Sequence, residues 1–269
     1  PATQHSFPTR RSSDLEKLDL HHIPALSNVL YSEDILFPIA DFYLKKERWN
    51  EAIEVYEEME TIGALQGRGA EYYQKLGYAL QKNKKYAEAI DAYLKADTLK
   101  PDNIWNNRHL AICYRLNRNY QAALSYYKKV EEATPEDTNV IFHIGSCLAE
   151  LGQYEEAANY FFKLDFIESN CIKAWRGIGW CSFISRKYEQ AMKYYEKIIE
   201  QKPLAIDYMN AGHVAWTMGD IQKAAALYGK SITANGNRER FLEMFRKDKE
   251  ALLKQGIQEE DIPLMLDLL

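Results

Sequence analysis

The chain has 269 residues, 46% hydrophobic and 27% charged, and carries a net charge of −5. It is too apolar for a disordered polymer and too long for one simple core, and its acidic balance disfavours a nucleic-acid backbone as partner unless cations gather on one face. No apolar run reaches the ~20 residues a membrane-spanning helix needs, and no signal peptide is visible.

The first segment stands apart from the rest. Residues 5–15 read His-Ser-Phe-Pro-Thr-Arg-Arg-Ser-Ser-Asp-Leu, which resembles the codon-by-codon translation of a common short-read sequencing adapter. Residues 1–15 are therefore expected to be a non-native artefact. On that reading a native start is lost, and with it any signal peptide, lipid anchor or upstream domain; a genuine basic tail is the competing reading. Residues 16–32 are expected to form an N-terminal helical segment. Its pair His21-His22 has no acidic or cysteine partner at ligand spacing.

A period then runs through the chain. Tyr86, Tyr120, Tyr154 and Tyr188 stand 34 apart, and Ile221 follows 33 later. Three residues after each comes Ala89, Ala123, Ala157, Ala191 or Ala224, and four further on Tyr93, Tyr127, Phe161, Tyr195 or Tyr228. Nine before each opening residue is a very small one: Gly77, Ala111, Gly145, Gly179, Gly212. Ala40, Trp49, Ala52 and Tyr56 repeat the pattern 37 ahead, so one connection, within Gly63 to Gly69, is longer. Six repeats result, starting near Glu33, Ala70, Ile104, Thr138, Ile172 and Ala205. Each carries apolar residues at three and four, the period of a buried helix stripe. Small residues opposite large aromatics are how paired helices interdigitate. Pro101, Pro135 and Pro203 close second helices. No repeat buries its face alone, so neighbours must stack.

The pattern over residues 33–238 resembles the tetratricopeptide repeat family. The second repeat carries it most fully, with Tyr73, Leu76, Gly77, Tyr86, Ala89, Tyr93, Ala96 and Pro101; Ser169, Gly236 and Ile221 depart from it locally. The resemblance implies an all-α protein, an α-α superhelix (a solenoid of about six helix-turn-helix repeats) with capping helices over residues 239–269. It also implies a concave groove lined by the first helix of each repeat. The family's groove positions fall here on Trp105, Arg108, His109, Arg115, Asn139, Phe142, His143, Lys173, Arg176, Trp180, Asn210, His213 and Trp216. In the second repeat they include Glu71, Gln74, Lys75 and Tyr78.

Those thirteen positions hold four cations and no carboxylate in an acidic chain, together with three of its five tryptophans. Aromatic anchors and arginine dominate protein-binding energetics. The expectation is a scaffold or adaptor, cytoplasmic and bacterial in style, whose groove takes a protein or peptide with acidic and apolar side chains. An alternative is the regulatory repeat region of a larger enzyme or signalling protein whose N-terminal part is missing. RNA binding is disfavoured by net charge. The carboxylate clamp of chaperone-binding relatives is not reproduced, because Ile112 and Ser146 stand where asparagine is wanted.

Other constellations read blandly. Cys113, Cys147 and Cys181, 34 apart, occupy equivalent places in successive repeats, too far apart for a disulfide, and read as small buried hydrophobes. Cys171, at a repeat junction, is the expected exposed thiol. Unpaired cysteines imply a reducing compartment. No Cys-x-x-Cys, phosphate loop or catalytic motif is present, so no metal, cofactor or enzymatic activity is expected. His109 and His143 are read as peptide hydrogen-bonding groups. Beyond the repeats, Glu239 to Gln255 is expected to be an amphipathic helix edged by Phe241, Phe245 and Leu252. A last helix follows with Asp261 as N-cap and Pro263 in its first turn. This acidic-apolar tail is read as a cap, or alternatively as a ligand for the groove of its own or a neighbouring molecule.

Overall fold

The computed structural model describes residues 33–61, 63 and 67–269. The expectations for residues 1–15 and 16–32, and for His21-His22, lie outside the described residues. Every element among the described residues is a helix. There are two compact units, one running to Asn117 and one from Arg118 to Leu269.

In the first unit, α1 (Glu33–Lys45), α2 (Trp49–Thr61), α3 (Gly69–Lys82), α4 (Tyr86–Leu99) and α5 (Ile104–Leu116) pack in chain order. Residues 62–68 connect α2 to α3, whereas 100–103 suffice between α4 and α5. Ala52, Tyr56, Ala89 and Tyr93 are fully buried, and Tyr72 donates its hydroxyl to the Tyr56 carbonyl at 2.7 Å. A Cβ on Gly77 would lie 2.8 Å from the Tyr93 ring, so a side chain added there would make the ring or the helix shift.

The second unit comprises α6 (Tyr120–Ala133), α7 (Thr138–Glu150), α8 (Tyr154–Ile167), α9 (Ile172–Ile184), α10 (Tyr188–Ile199), α11 (Ala205–Thr217), α12 (Ile221–Asn235), α13 (Arg238–Lys254) and α14 (Asp261–Asp267). The same contact recurs in it: Cβ atoms on Gly145, Gly179 and Gly212 would lie 2.9, 2.9 and 2.5 Å from the rings of Phe161, Tyr195 and Tyr228. Asn119, Asp137, Asp220 and Asn237 cap their helices by accepting first-turn N–H groups, satisfying donors that have no partner within the helix.

One backbone feature repeats throughout. Two residues before each second helix the chain adopts left-handed φ: Glu47, Lys84, Arg118, Gly152, Arg186 and Gly219, with φ between 56° and 86°. Only two of the six are glycine, the residue that takes this conformation without steric cost.

Two sequence expectations are corrected. Cys171, the N-cap residue of α9, is buried because it packs with Ile141, Leu164 and Ala174 in one apolar cluster. Asp261 is the first residue of α14 and not its cap; Glu260 stands at the cap with helical backbone and no side-chain hydrogen bond. Cys113, Cys147 and Cys181 are buried and form no disulfide, and burial pushes the Cys113 and Cys181 thiols up to about 12.

Candidate functional site

The first unit carries an aromatic face built from α3 and α5. Tyr78 lies edge-on to Trp49 at 6.1 Å and tilted toward Trp105 at 6.3 Å. Trp105 and His109, one helical turn apart, lie tilted against each other at 4.0 Å between centroids, and His109 stacks on the buried Tyr93 at 5.6 Å. Trp105 remains 43% exposed, an unusual state for so large an apolar ring. Gln81 anchors the cluster: its Oε1 accepts from the Tyr93 hydroxyl at 3.0 Å and from His109 Nδ1–H at 2.7 Å. That bond fixes the neutral tautomer with Nε2 unprotonated. Burial, together with the charges of Lys82 and Arg108, lowers the His109 pKa to about 4. Lys82 Nζ sits 5.2 Å over the Tyr78 ring, a cation at the cluster's edge. The face is therefore apolar in its middle and positively charged beside it.

Within the same unit Lys75 is already engaged, 2.7 Å from Asp41 and 2.9 Å from Glu71. Arg108 and Arg115 are half-buried on α5. Sequence reading passed over Gln81 and Lys82. Both occupy groove positions of the second repeat under the rule that gave Arg115 in the third, and applying it one step further finds them.

In the second unit the expected site residues divide. Asn139 is exposed at the start of α7. Phe142 is half-buried against His143 at 5.4 Å and Phe161 at 6.0 Å, with Lys173 Nζ 5.9 Å over its ring and 3.2 Å from Glu168. His143 stacks on Tyr127 at 5.5 Å, and Trp180 packs at 5.6 Å on Phe183. Asn210 is half-buried on α11.

Three expected residues serve the protein's own structure instead. Arg176 donates from Nε and Nη2 to the two carboxylate oxygens of Asp207, each at 2.7 Å. Asp207 is 1% exposed and also accepts the Leu204 N–H at 2.7 Å. This fork ties α9 to α11, so two of the guanidinium's donors are committed. His213 and Trp216 are buried because α13 lies over them: Phe245 stacks on Trp216 at 6.4 Å and meets His213 at 5.4 Å, and Asp248 reaches to 3.4 Å from His213 Nε2. His213 Nδ1 shares a 2.7 Å hydrogen bond with the buried Tyr228 hydroxyl. The far end of α13 reaches the turn between α9 and α10, where Arg186 donates to the Lys254 carbonyl and Gln255 to that of Ile184. The helix expected beyond the repeats thus occupies the face of the last first helix.

Among the described residues no group of three His, Cys, Asp or Glu side chains is placed to hold a metal ion, and no helix is long and apolar enough to cross a membrane.

Sequence models of the tetratricopeptide repeat match residues 36–66, 70–103, 115–181, 172–203 and 208–238. No curated protein matches the chain in sequence. Solved structures are similar in fold. A tetratricopeptide repeat protein from Parabacteroides merdae is 19% identical, with a TM-score of 0.61 over 87% of this chain and 97% of its own. YrrB, described as a tetratricopeptide repeat protein with an unusual peptide-binding site, is 20% identical, with a TM-score of 0.57 over 71% of this chain and 96% of its own. MamA from Desulfovibrio magneticus is 18% identical, with a TM-score of 0.57 over 63% and 97%. At such identities the likeness establishes architecture alone. Repeats in register, buried alanine-aromatic pairs and matching sequence models over nearly all of residues 36–238 lead to one assignment: the chain belongs to the tetratricopeptide repeat family.

Proposed function

We propose that this chain is a protein-interaction module, not an enzyme, and that it takes a peptide segment with apolar and acidic side chains on the face formed by its first helices. The observation that carries this reading is the Tyr78–Trp105–His109 cluster. A tryptophan is held exposed against an aromatic scaffold that Gln81 ties together through Tyr93 and His109, with Lys82 at its edge. A large ring fixed in advance loses little conformational entropy on binding, and the cation selects for a carboxylate beside the apolar contact. In the second unit Phe142, Lys173 and Trp180 are the residues we assign to the same role. A peptide-binding site in YrrB, a structural neighbour, is consistent with the assignment.

The test is binding of an array of short acidic-apolar peptides to the full chain and to Trp105→Ala, followed by tryptophan fluorescence or calorimetry. Loss of about tenfold or more in affinity with the fold intact is the expected result, corresponding to ~1.4 kcal/mol. Unchanged affinity in Trp105→Ala would remove the site from this face. Arg176 is unsuited to such a test, since its substitution strands the buried Asp207.

A further inference from the structure

The C-terminal helix α14 is fastened to the protein, and its outer edge is bare. Ile262 and Met265 are buried, Arg238 donates to the Leu266 carbonyl at 2.7 Å, and Lys249 pairs with Glu259 at 2.6 Å. The tail is therefore held in place on the second unit. Leu264 and Leu268, one turn apart, are left 64% and 63% exposed on its outer edge. Asp261, a turn before Leu264, is exposed on the same edge. The edge reads carboxylate, leucine, leucine at helical spacing of about 5–6 Å between successive side chains.

The first unit carries the complement. Lys82 Nζ is 5.2 Å from the Tyr78 ring, and that ring is 6.3 Å from Trp105. That array reads cation, ring, ring at nearly the same spacing. We infer that the Asp261–Leu264–Leu268 edge of one molecule docks on the Lys82–Tyr78–Trp105 face of a second copy of this chain, a head-to-tail contact. The inference rests on the reading of that face as a binding surface. Because α14 is pinned, it is presented as a preformed edge and not as a loose strand, which suits it to a neighbour. Only three side chains on each partner make the contact, so association is weak. Two different patches meet, so the assembly does not stop at a dimer unless a ring closes.

Sedimentation of the full chain over a concentration series tests this. The expected result is a weight-average mass that rises past the dimer. Asp261→Lys and Lys82→Glu, each alone, weaken association about tenfold or more, because each sets like charges together. An equimolar mixture of the two restores association, since opposite charges then meet. Leu264→Asp with Leu268→Asp, at exposed positions, leaves a folded monomer. A wild-type chain that stays monomeric through the series overturns the inference, as does association undiminished in these variants. A change in Trp105 fluorescence on Leu264→Asp/Leu268→Asp that is independent of concentration overturns it too, by putting the edge on its own chain. Peptide binding by that monomeric variant is measured separately. If it survives while wild-type self-association is absent, the inference fails and the proposed function stands.

Discussion

Two glycines of the last repeat make a controlled pair. Gly212 on α11 and Gly229 on α12 are both helical, and alanine at either gains about 0.5–1 kcal/mol of helix propensity. Only their surroundings differ. A Cβ on Gly212 would lie 2.5 Å from Tyr228 Cε1 and 2.7 Å from Cδ1, about 1 Å inside ordinary carbon contact, whereas Gly229 has nothing within 4 Å. The Tyr228 ring is confined by Phe241 and Phe245 at 5.7 Å each and tied to His213 by its hydroxyl. Forcing atoms into such a site costs about 1–3 kcal/mol. Gly229→Ala should therefore stabilise by about 0.5–1 kcal/mol and Gly212→Ala destabilise by about 1–2 kcal/mol net. Urea unfolding followed by circular dichroism, with amide exchange localised to α11 and α12, reads both, since repeat arrays open repeat by repeat. If Gly212→Ala stabilises as much as Gly229→Ala, close helix approach is not the reason for the small residue.

Three further predictions concern other contacts. Lys84 holds the left-handed turn that Gly152 holds in another repeat, so Lys84→Gly should stabilise by about 0.5–1 kcal/mol and Gly152→Ala destabilise by about as much; equal signs in urea unfolding would refute the turn argument. Arg176 and Lys173 sit on one helix but differ in partner. Arg176→Ala strands a buried carboxylate and should cost about 3 kcal/mol, against at most ~0.5 kcal/mol for Lys173→Ala, whose pair with Glu168 is exposed. Similar unfolding midpoints for the two variants would contradict this. His109 has a folded pKa of about 4, below the ordinary 6.5, so its neutral form is favoured in the native state. Its contribution is complete above pH 6.5 and is lost as pH falls from 6.5 to 4. Relative to His109→Gln, the wild type should lose up to about 3 kcal/mol across that window. A parallel pH profile for the two proteins would show that His109 is not held neutral.

The architecture was legible in the residues because the repeat is a local steric code. Ala89 and Tyr93, or Gly77 and Tyr86, state where helices approach and where they begin. Six copies in register leave little freedom for another fold. The candidate site was only partly legible. Position within the repeat located Trp105 and His109 and, carried one step further, would have located Gln81 and Lys82. It could not say which residues would be free. Arg176 looked like Lys173 in sequence, but the fold turns the buried Asp207 toward it, and a desolvated carboxylate holds its cation. His213 and Trp216 share the positions of half-buried groove residues such as Tyr78 and Gln81, yet α13 lies across them and buries them, a pairing between segments that no period within the repeats encodes. Periodicity determines what each helix offers to its neighbours. Whether an offered side chain meets solvent, a partner or another part of the same chain depends on which elements arrive on that face, and only the tertiary structure decides it.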